Sequence, residues 1–209
     1  MSPPPEGDIG VALAQVLLCV TSLGCAIRAR RVTGGPAAGF LLQALAAATD
    51  AASLLCPSVT SPVTSDVPTS NVPSNVPSNV PSDVPTPPPP SWICTLLAQP
   101  LVAFGCHRLG GDSATAALLL SSLSVVAAVA AALPAEARGL AGHSAVALTA
   151  GSLLALAALS GCVPAGLAAA LVALGDMEVV APWGVPWVRA AASVTLLRAL
   201  GWLREQGQQ

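Results

Sequence analysis

The stretch IGVALAQVLLCVTSLGCAI, from Ile9 to Ile27, decides the fold class of this chain. It contains no ionised side chain, and Gln15 is its one strongly polar residue. A helix of about 20 apolar residues, rising 1.5 Å per residue, crosses about 30 Å of hydrocarbon. Arg28, Arg30 and Arg31 follow immediately. The stretch therefore predicts a helix that spans a membrane.

The composition of the whole chain agrees with this prediction. Hydrophobic residues make up 54% of the sequence and charged residues 9%, and lysine is absent. Too few charged side chains are present to cover a soluble core of this size, so lipid must cover part of the surface. The formal net charge of −2 gives no basic surface for nucleic acid. A water-soluble enzyme and a nucleic-acid-binding protein are both disfavoured.

Further apolar stretches predict the rest of the architecture. The fold class is all-α, a multi-pass transmembrane helical bundle of six or seven spans. The last predicted span carries Arg189 and Arg198, so it either crosses the membrane or lies in the interface. The predicted spans cover residues 9–27, 36–56, 91–105, 114–133, 140–162, 163–175 and 187–203.

The region between the second and third spans differs sharply in composition. Residues 57–90 contain Pro, Ser, Thr, Val, Asn and Asp, with NVPS repeated at Asn71, Asn75 and Asn79. Such a segment has too little apolar bulk to fold, so we predict a disordered loop. The chain then divides into a first helical hairpin (1–56), the loop (57–90) and the remaining bundle (91–209). The simplest explanation of the loop is a repeat expansion, which long surface loops tolerate well.

Arginine placement predicts the orientation, because positive residues collect on the cytoplasmic side. With the N-terminus outside and seven crossings, six of the eight arginines face the cytoplasm. Arg138 and Arg189 are the two that lie outside.

Cys56 and Cys94 flank the Pro-rich loop at similar predicted depth near the outer side. A disulfide can form between them there, because that side is oxidising. The other cysteines lie in or beside apolar stretches and are expected to act as small apolar residues.

Polar residues within the predicted spans are the candidates for chemistry, because ionisable groups are costly in a bilayer. Asp50 lies seven residues after Gln43, two turns along the same helical face. With Gln15 of the first span they can form a polar seam for a proton, an ion or a polar headgroup. In the alternative, Asp50 is hydrated near the outer boundary and the glutamines hydrogen-bond between helices. From the sequence, this alternative is preferred.

Other chemistry-bearing patterns are weak. His143 titrates near neutrality in water, but a single interfacial histidine is more often simply hydrated. No His, Cys and Asp cluster has the spacing of a metal site, so we expect no metal and no cofactor. Nucleophile elbows, phosphate-binding loops and zinc-protease motifs are also missing from the sequence, and we predict no catalytic residue.

Two stretches carry a resemblance to a known family: GPAAGFLLQALAAATD from Gly35 to Asp50, and PLVAFGCHRLGGDSATAALLL from Pro100 to Leu120. They resemble the vertebrate transmembrane protein 276 family, and LLRALGWLREQ from Leu196 is a weaker match. The resemblance implies a multi-pass membrane protein and supplies no catalytic or binding residue. The Pro-rich loop departs from the expected family pattern.

Two function classes remain open. The first choice is a non-enzymatic scaffold that packs in the bilayer with other membrane proteins or with itself, because small residues are plentiful and site chemistry is sparse. The alternative is a small transporter or a lipid-handling intramembrane enzyme that uses the polar seam around Asp50.

Overall fold

The computed structural model describes residues 6–55, 91–132, 135–177, 180–181 and 183–207, and these form seven α-helices with no strand among them. The predicted disordered loop lies outside the described residues, and the three-part division of the chain remains a prediction. The helices are α1 (Glu6–Ala29), α2 (Gly34–Leu55), α3 (Ser91–Leu109), α4 (Ser113–Ala132), α5 (Ala135–Ser160), α6 (Val163–Leu174) and α7 (Val185–Gln206).

The seven helices correspond to the seven predicted stretches, and the all-α membrane bundle is confirmed. In the part of the chain that is described, α1, α2, α4 and α5 are both long enough and apolar enough to cross a membrane. Helices α3 and α7 have 19 and 22 residues but contain more polar side chains. Helix α6 has 12 residues, about 18 Å, which is less than the hydrocarbon thickness. Seven crossings remain a prediction.

Large apolar side chains face outward along the helices, as expected where lipid is the solvent. Helix α1 exposes a row of them: Leu13, Val16, Leu17, Val20, Leu23 and Ile27. The interior consists mostly of alanine, together with Phe40, Leu153 and Leu200 at the centre of the core. Small interior residues let helix backbones approach closely, and this packing drives helix association in lipid.

Helix α7 is part of the bundle rather than a peripheral element. It packs on α1, α6 and α3, and Leu196, Leu200 and Leu203 are buried in the main core. Whether this helix crosses the membrane or lies in the interface remains a prediction.

The turn between α3 and α4 shows why α4 begins where it does. Gly111 has φ +81°, a conformation that glycine adopts without strain. Asp112 then caps α4, because its carboxylate accepts a hydrogen bond from the backbone N–H of Thr115 at 3.0 Å. Hydrogen bonding from the Thr115 hydroxyl, together with this N–H bond, lowers the pKa of Asp112.

The closest packing lies between α2 and α3. A Cβ at Gly39 would lie 2.6 Å from the carbonyl oxygen of Ala98 and 2.7 Å from Cγ2 of Val102, and a Cβ at Gly105 would overlap the ring of Pro36. Glycine at these positions lets α2 and α3 touch through their backbones.

Substitution at Gly39 therefore tests this contact. We expect Gly39→Ala to lower the free energy of unfolding by about 1–3 kcal/mol, because the added methyl group forces two helices apart. Gly24→Ala in α1 is the matched control, since no atom lies within 4 Å of a Cβ there, and it should be neutral or stabilising by up to about 1 kcal/mol. Thermal unfolding in detergent measures both. Equal stability of the two variants would contradict the close packing.

Candidate ligand-binding cavity

A cavity of about 420 Å³ lies among the helices at one end of the bundle. Its lining comes from the N-terminal halves of α1, α3, α5 and α7 and the C-terminal parts of α2 and α6. Sequential helices alternate in direction, so these parts all lie toward the same side, which the arginine pattern predicts to be the outer side. The volume is within the range of small-molecule sites in proteins, about 300–1,000 Å³.

All three residues of the predicted polar seam line this cavity: Gln15 from α1, and Gln43 and Asp50 from α2. Ala46 and Ala47 lie between the last two and also line it. The spacing from Gln43 to Asp50 thus places both on one face, as the helical period predicts. A ligand role for them remains a prediction.

Gln43 also joins two helices, as the alternative interpretation proposed for the glutamines. The hydroxyl of Ser193 in α7 lies 3.1 Å from Oε1 of Gln43 and 2.8 Å from the carbonyl oxygen of Arg189. A hydroxyl has one proton, and the shorter contact to the carbonyl is the better donor bond. If the Gln43 amide is turned by 180°, Nε2 takes the place of Oε1 and donates a hydrogen bond to the Ser193 hydroxyl. In either orientation one polar atom of the amide lacks a partner among the described residues.

Three charged side chains line the cavity: Asp50, Asp176 and Arg189. Arg189 is half-buried, and both carboxylates lie close enough to act on its charge. However, among the described residues no guanidinium nitrogen lies within 4.0 Å of a carboxylate oxygen, since the ion pairs found there both involve histidine. Opposite charges therefore face the same cavity without direct contact.

Asp176 has a different partner. Nδ1 of His143 lies 2.6 Å from its Oδ2 and donates to it, because an ionised carboxylate can only accept. The bond joins α5 to the segment after α6 beside Gly142 and Gly175, which also line the cavity. Asp176 and His143, the latter expected from the sequence to be simply hydrated, thus meet at the cavity edge.

Gln99 and Pro100 were not among the sequence candidates. Both line the cavity, and Oε1 of Gln99 is buried without a hydrogen-bond partner in the described bundle. Pro100 lies inside α3, and its missing N–H leaves the carbonyl of Leu96 without the usual intrahelical donor. The sequence feature that could have identified them is a carboxamide side chain next to a proline within an apolar stretch.

Cys56 lies outside the described residues, so the disulfide with Cys94 stays a prediction. In the described part of the chain no group of three or more His, Cys, Asp or Glu side chains is placed to hold a metal ion.

Comparison with known proteins identifies the family. The chain is 32% identical over 157 residues to transmembrane protein 276 of Bos taurus, covering 75% of this chain and 68% of that protein. It is 30% identical over 157 residues to transmembrane protein 276 of Homo sapiens, with the same coverage.

The chain belongs to the transmembrane protein 276 family. The Rattus norvegicus member is 28% identical over 153 residues, covering 73% of this chain and 66% of the rat protein. No protein-family model matches the chain, and no solved structure matches it. The family relationship confirms the resemblance, and together with the long apolar helices it makes the chain an integral membrane protein.

Cysteine labelling tests whether the cavity is reached from water. With the native cysteines replaced by serine or alanine, we expect Ala46→Cys and Ala145→Cys to react with a charged methanethiosulfonate reagent added to the side of residues 56–90. Both positions line the cavity. Ala130→Cys in α4 is the control, because Ala130 is buried but lies away from the cavity. Labelling is measured by a mass increase. Failure of both cavity positions to react would contradict an accessible cavity.

Proposed function

We propose that this chain is a membrane protein that binds a small polar molecule within its helical bundle, of the transporter type rather than the enzyme type. The observation that carries the proposal is the pair Asp50 and Arg189, which face one cavity without forming an ion pair with each other. Charges inside a membrane protein are costly and are generally kept for a pathway or a ligand. Two opposite charges that serve only the fold would be expected to pair directly.

The side chains around the cavity favour binding over covalent chemistry. Among the described lining residues there is no Ser, Cys or His, and the hydroxyls are those of Thr95 and Thr149. Each donates to a carbonyl of its own helix. Such hydroxyls lack the adjacent base that activates a nucleophile. The sequence left open either a transporter or a lipid-handling enzyme that uses the polar seam. The lining therefore favours the transporter.

A scaffold that packs with other membrane proteins or with a second copy is the second candidate. The observation that favours it is the outer face of α4, where Ala117, Ser121, Ser124 and Ala128 are exposed. The hydroxyls of Ser121 and Ser124 donate hydrogen bonds to backbone carbonyls of α4 itself. Small residues on a lipid-facing helix allow a second helix to approach closely.

Neutralising the two cavity charges separates a binding role from a structural role. If the charges serve a ligand, Asp50→Asn and Arg189→Gln should leave the thermal stability of the empty protein unchanged or raise it, because each removes a charge that has no direct partner. Arg198→Gln is the matched control, since Arg198 is an exposed residue of the same helix outside the cavity.

The opposite result is equally clear. A loss of about 3–5 kcal/mol in each single variant, restored in the double variant, is the behaviour of a buried ion pair that holds helices together. That result, measured by thermal unfolding in detergent, would show that the charges are structural and would leave the scaffold as the better hypothesis.

A further inference from the structure

The two charged residues and the hydrogen bond between Gln43 and Ser193 lie at different heights along the helices. Gln43 lines the cavity, and its side chain meets Ser193 at 3.1 Å between α2 and α7. The backbone of Arg189 lies four residues nearer the outer end of α7, about 6 Å along the axis, and that of Asp50 lies seven residues nearer the outer end of α2, about 10 Å. Both charged residues therefore belong to helix turns that lie nearer the outer end than this hydrogen bond.

The helices that carry the two charges do not press them together. Helix α2 packs on α1 and α3, whereas α7 packs on α1, α6 and α3. The Gln43–Ser193 hydrogen bond links α2 to α7 below the charged groups. Space therefore remains between Asp50 and Arg189 for a molecule that contacts both.

A singly charged ligand does not suit this arrangement. An anion on Arg189 would leave Asp50 without a counter-charge and would be repelled by Asp50 and Asp176. A cation at Asp50 would be repelled by Arg189, whose other carboxylate neighbour in the cavity, Asp176, already accepts a hydrogen bond from His143. A molecule that carries both charges compensates the two groups together, and complementary charge is how binding sites select among ligands.

The uncharged part of the lining suits a short polar molecule with a little aliphatic surface. Leu18, Leu96 and Val146 supply apolar walls. The amides of Gln43 and Gln99 each have a polar atom without a partner among the described residues, and amide torsions of glutamine are broad. Each amide can therefore turn to serve a bound group, and Gln43 is 7% exposed.

From these observations we propose that the cavity binds a zwitterion, a molecule with an ammonium group and a carboxylate or phosphate a few bonds apart. The anionic group lies on Arg189 and the ammonium group on Asp50. This inference rests on the proposed binding function and names its ligand class. A soluble amino acid and the headgroup of a zwitterionic phospholipid share this chemistry.

Trp92 provides the measurement, because it lines the cavity. In the full chain with Trp183, Trp187 and Trp202 replaced by phenylalanine, Trp92 is the remaining tryptophan. The purified protein is titrated in detergent with sn-glycero-3-phosphoethanolamine and with γ-aminobutyrate, and its emission is followed. Two further probes carry charge of one sign only: ethanolamine is a cation and sn-glycerol 3-phosphate is an anion.

We expect a saturable change in emission with at least one zwitterionic probe. Ethanolamine and sn-glycerol 3-phosphate should each bind at least about tenfold more weakly than that zwitterion. Asp50→Asn and Arg189→Gln should each weaken zwitterion binding by about tenfold to a hundredfold, the usual cost of losing a charged hydrogen bond. Arg198→Gln and Glu205→Gln, both exposed on α7 outside the cavity, should leave it unchanged.

The two zwitterionic probes distinguish the sources. Preference for sn-glycero-3-phosphoethanolamine, with the same emission change in nanodiscs of phosphatidylethanolamine but not of phosphatidylglycerol, supports a lipid headgroup. Preference for γ-aminobutyrate supports a soluble solute.

Other outcomes overturn the ligand class. Equal binding of sn-glycerol 3-phosphate would make the cavity an anion site, and equal binding of ethanolamine a cation site. If no probe binds, the zwitterion is wrong. Failure of the binding function itself would appear separately, as the loss and rescue of thermal stability in the charge variants.

Discussion

The length of α6 is the constraint on which the rest of the cavity depends. Helix α5 has 26 residues and α6 has 12. Helix α6 therefore runs back along less than half of the length of α5. The chain leaves the helix at Gly175 while still beside α5, and Asp176 meets His143 well inside α5 rather than at its end. Because α6 stops there, the segment that leads to Arg189 begins beside α5 and not at the end of the bundle.

Close packing through alanine and glycine explains how the remaining helices hold their positions around the cavity. Gly39 and Gly105 bring α2 and α3 into backbone contact, and buried alanines such as Ala165, Ala168 and Ala199 do the same for α6 and α7 in the core. This packing is strongest toward the end of the bundle where α1 meets α2 and where α5 meets α6. The cavity lies toward the other end, where Gln43 of its lining meets Ser193 of α7. Close packing of small residues fills one end of the bundle, and the other end holds a cavity whose mostly apolar lining includes three charged side chains.

Much of this architecture was accessible from the sequence because lipid imposes a simple rule. Every backbone polar group must be bonded within its own segment, so each long apolar stretch becomes a helix. The predicted second span, 36–56, and α2 (Gly34–Leu55) differ by two residues or fewer at the ends for this reason. The shared face of Gln43 and Asp50 follows from the helical period. Asp176 and Arg189 could not be placed in the same way, because their position depends on where α6 stops and on whether the last helix joins the bundle, and neither is a local property.

The charged residues of the cavity lie outside the core that packs the helices together. The contacts among small residues involve neither Asp50 nor Arg189. Charged residues within a membrane bundle are costly. Under the proposed function, ligand binding accounts for keeping these charges around the cavity. Because Gln43 links α2 to α7 while keeping one amide atom unpaired, the interhelical and ligand-binding interpretations of the polar seam are compatible, and the same residue can serve both.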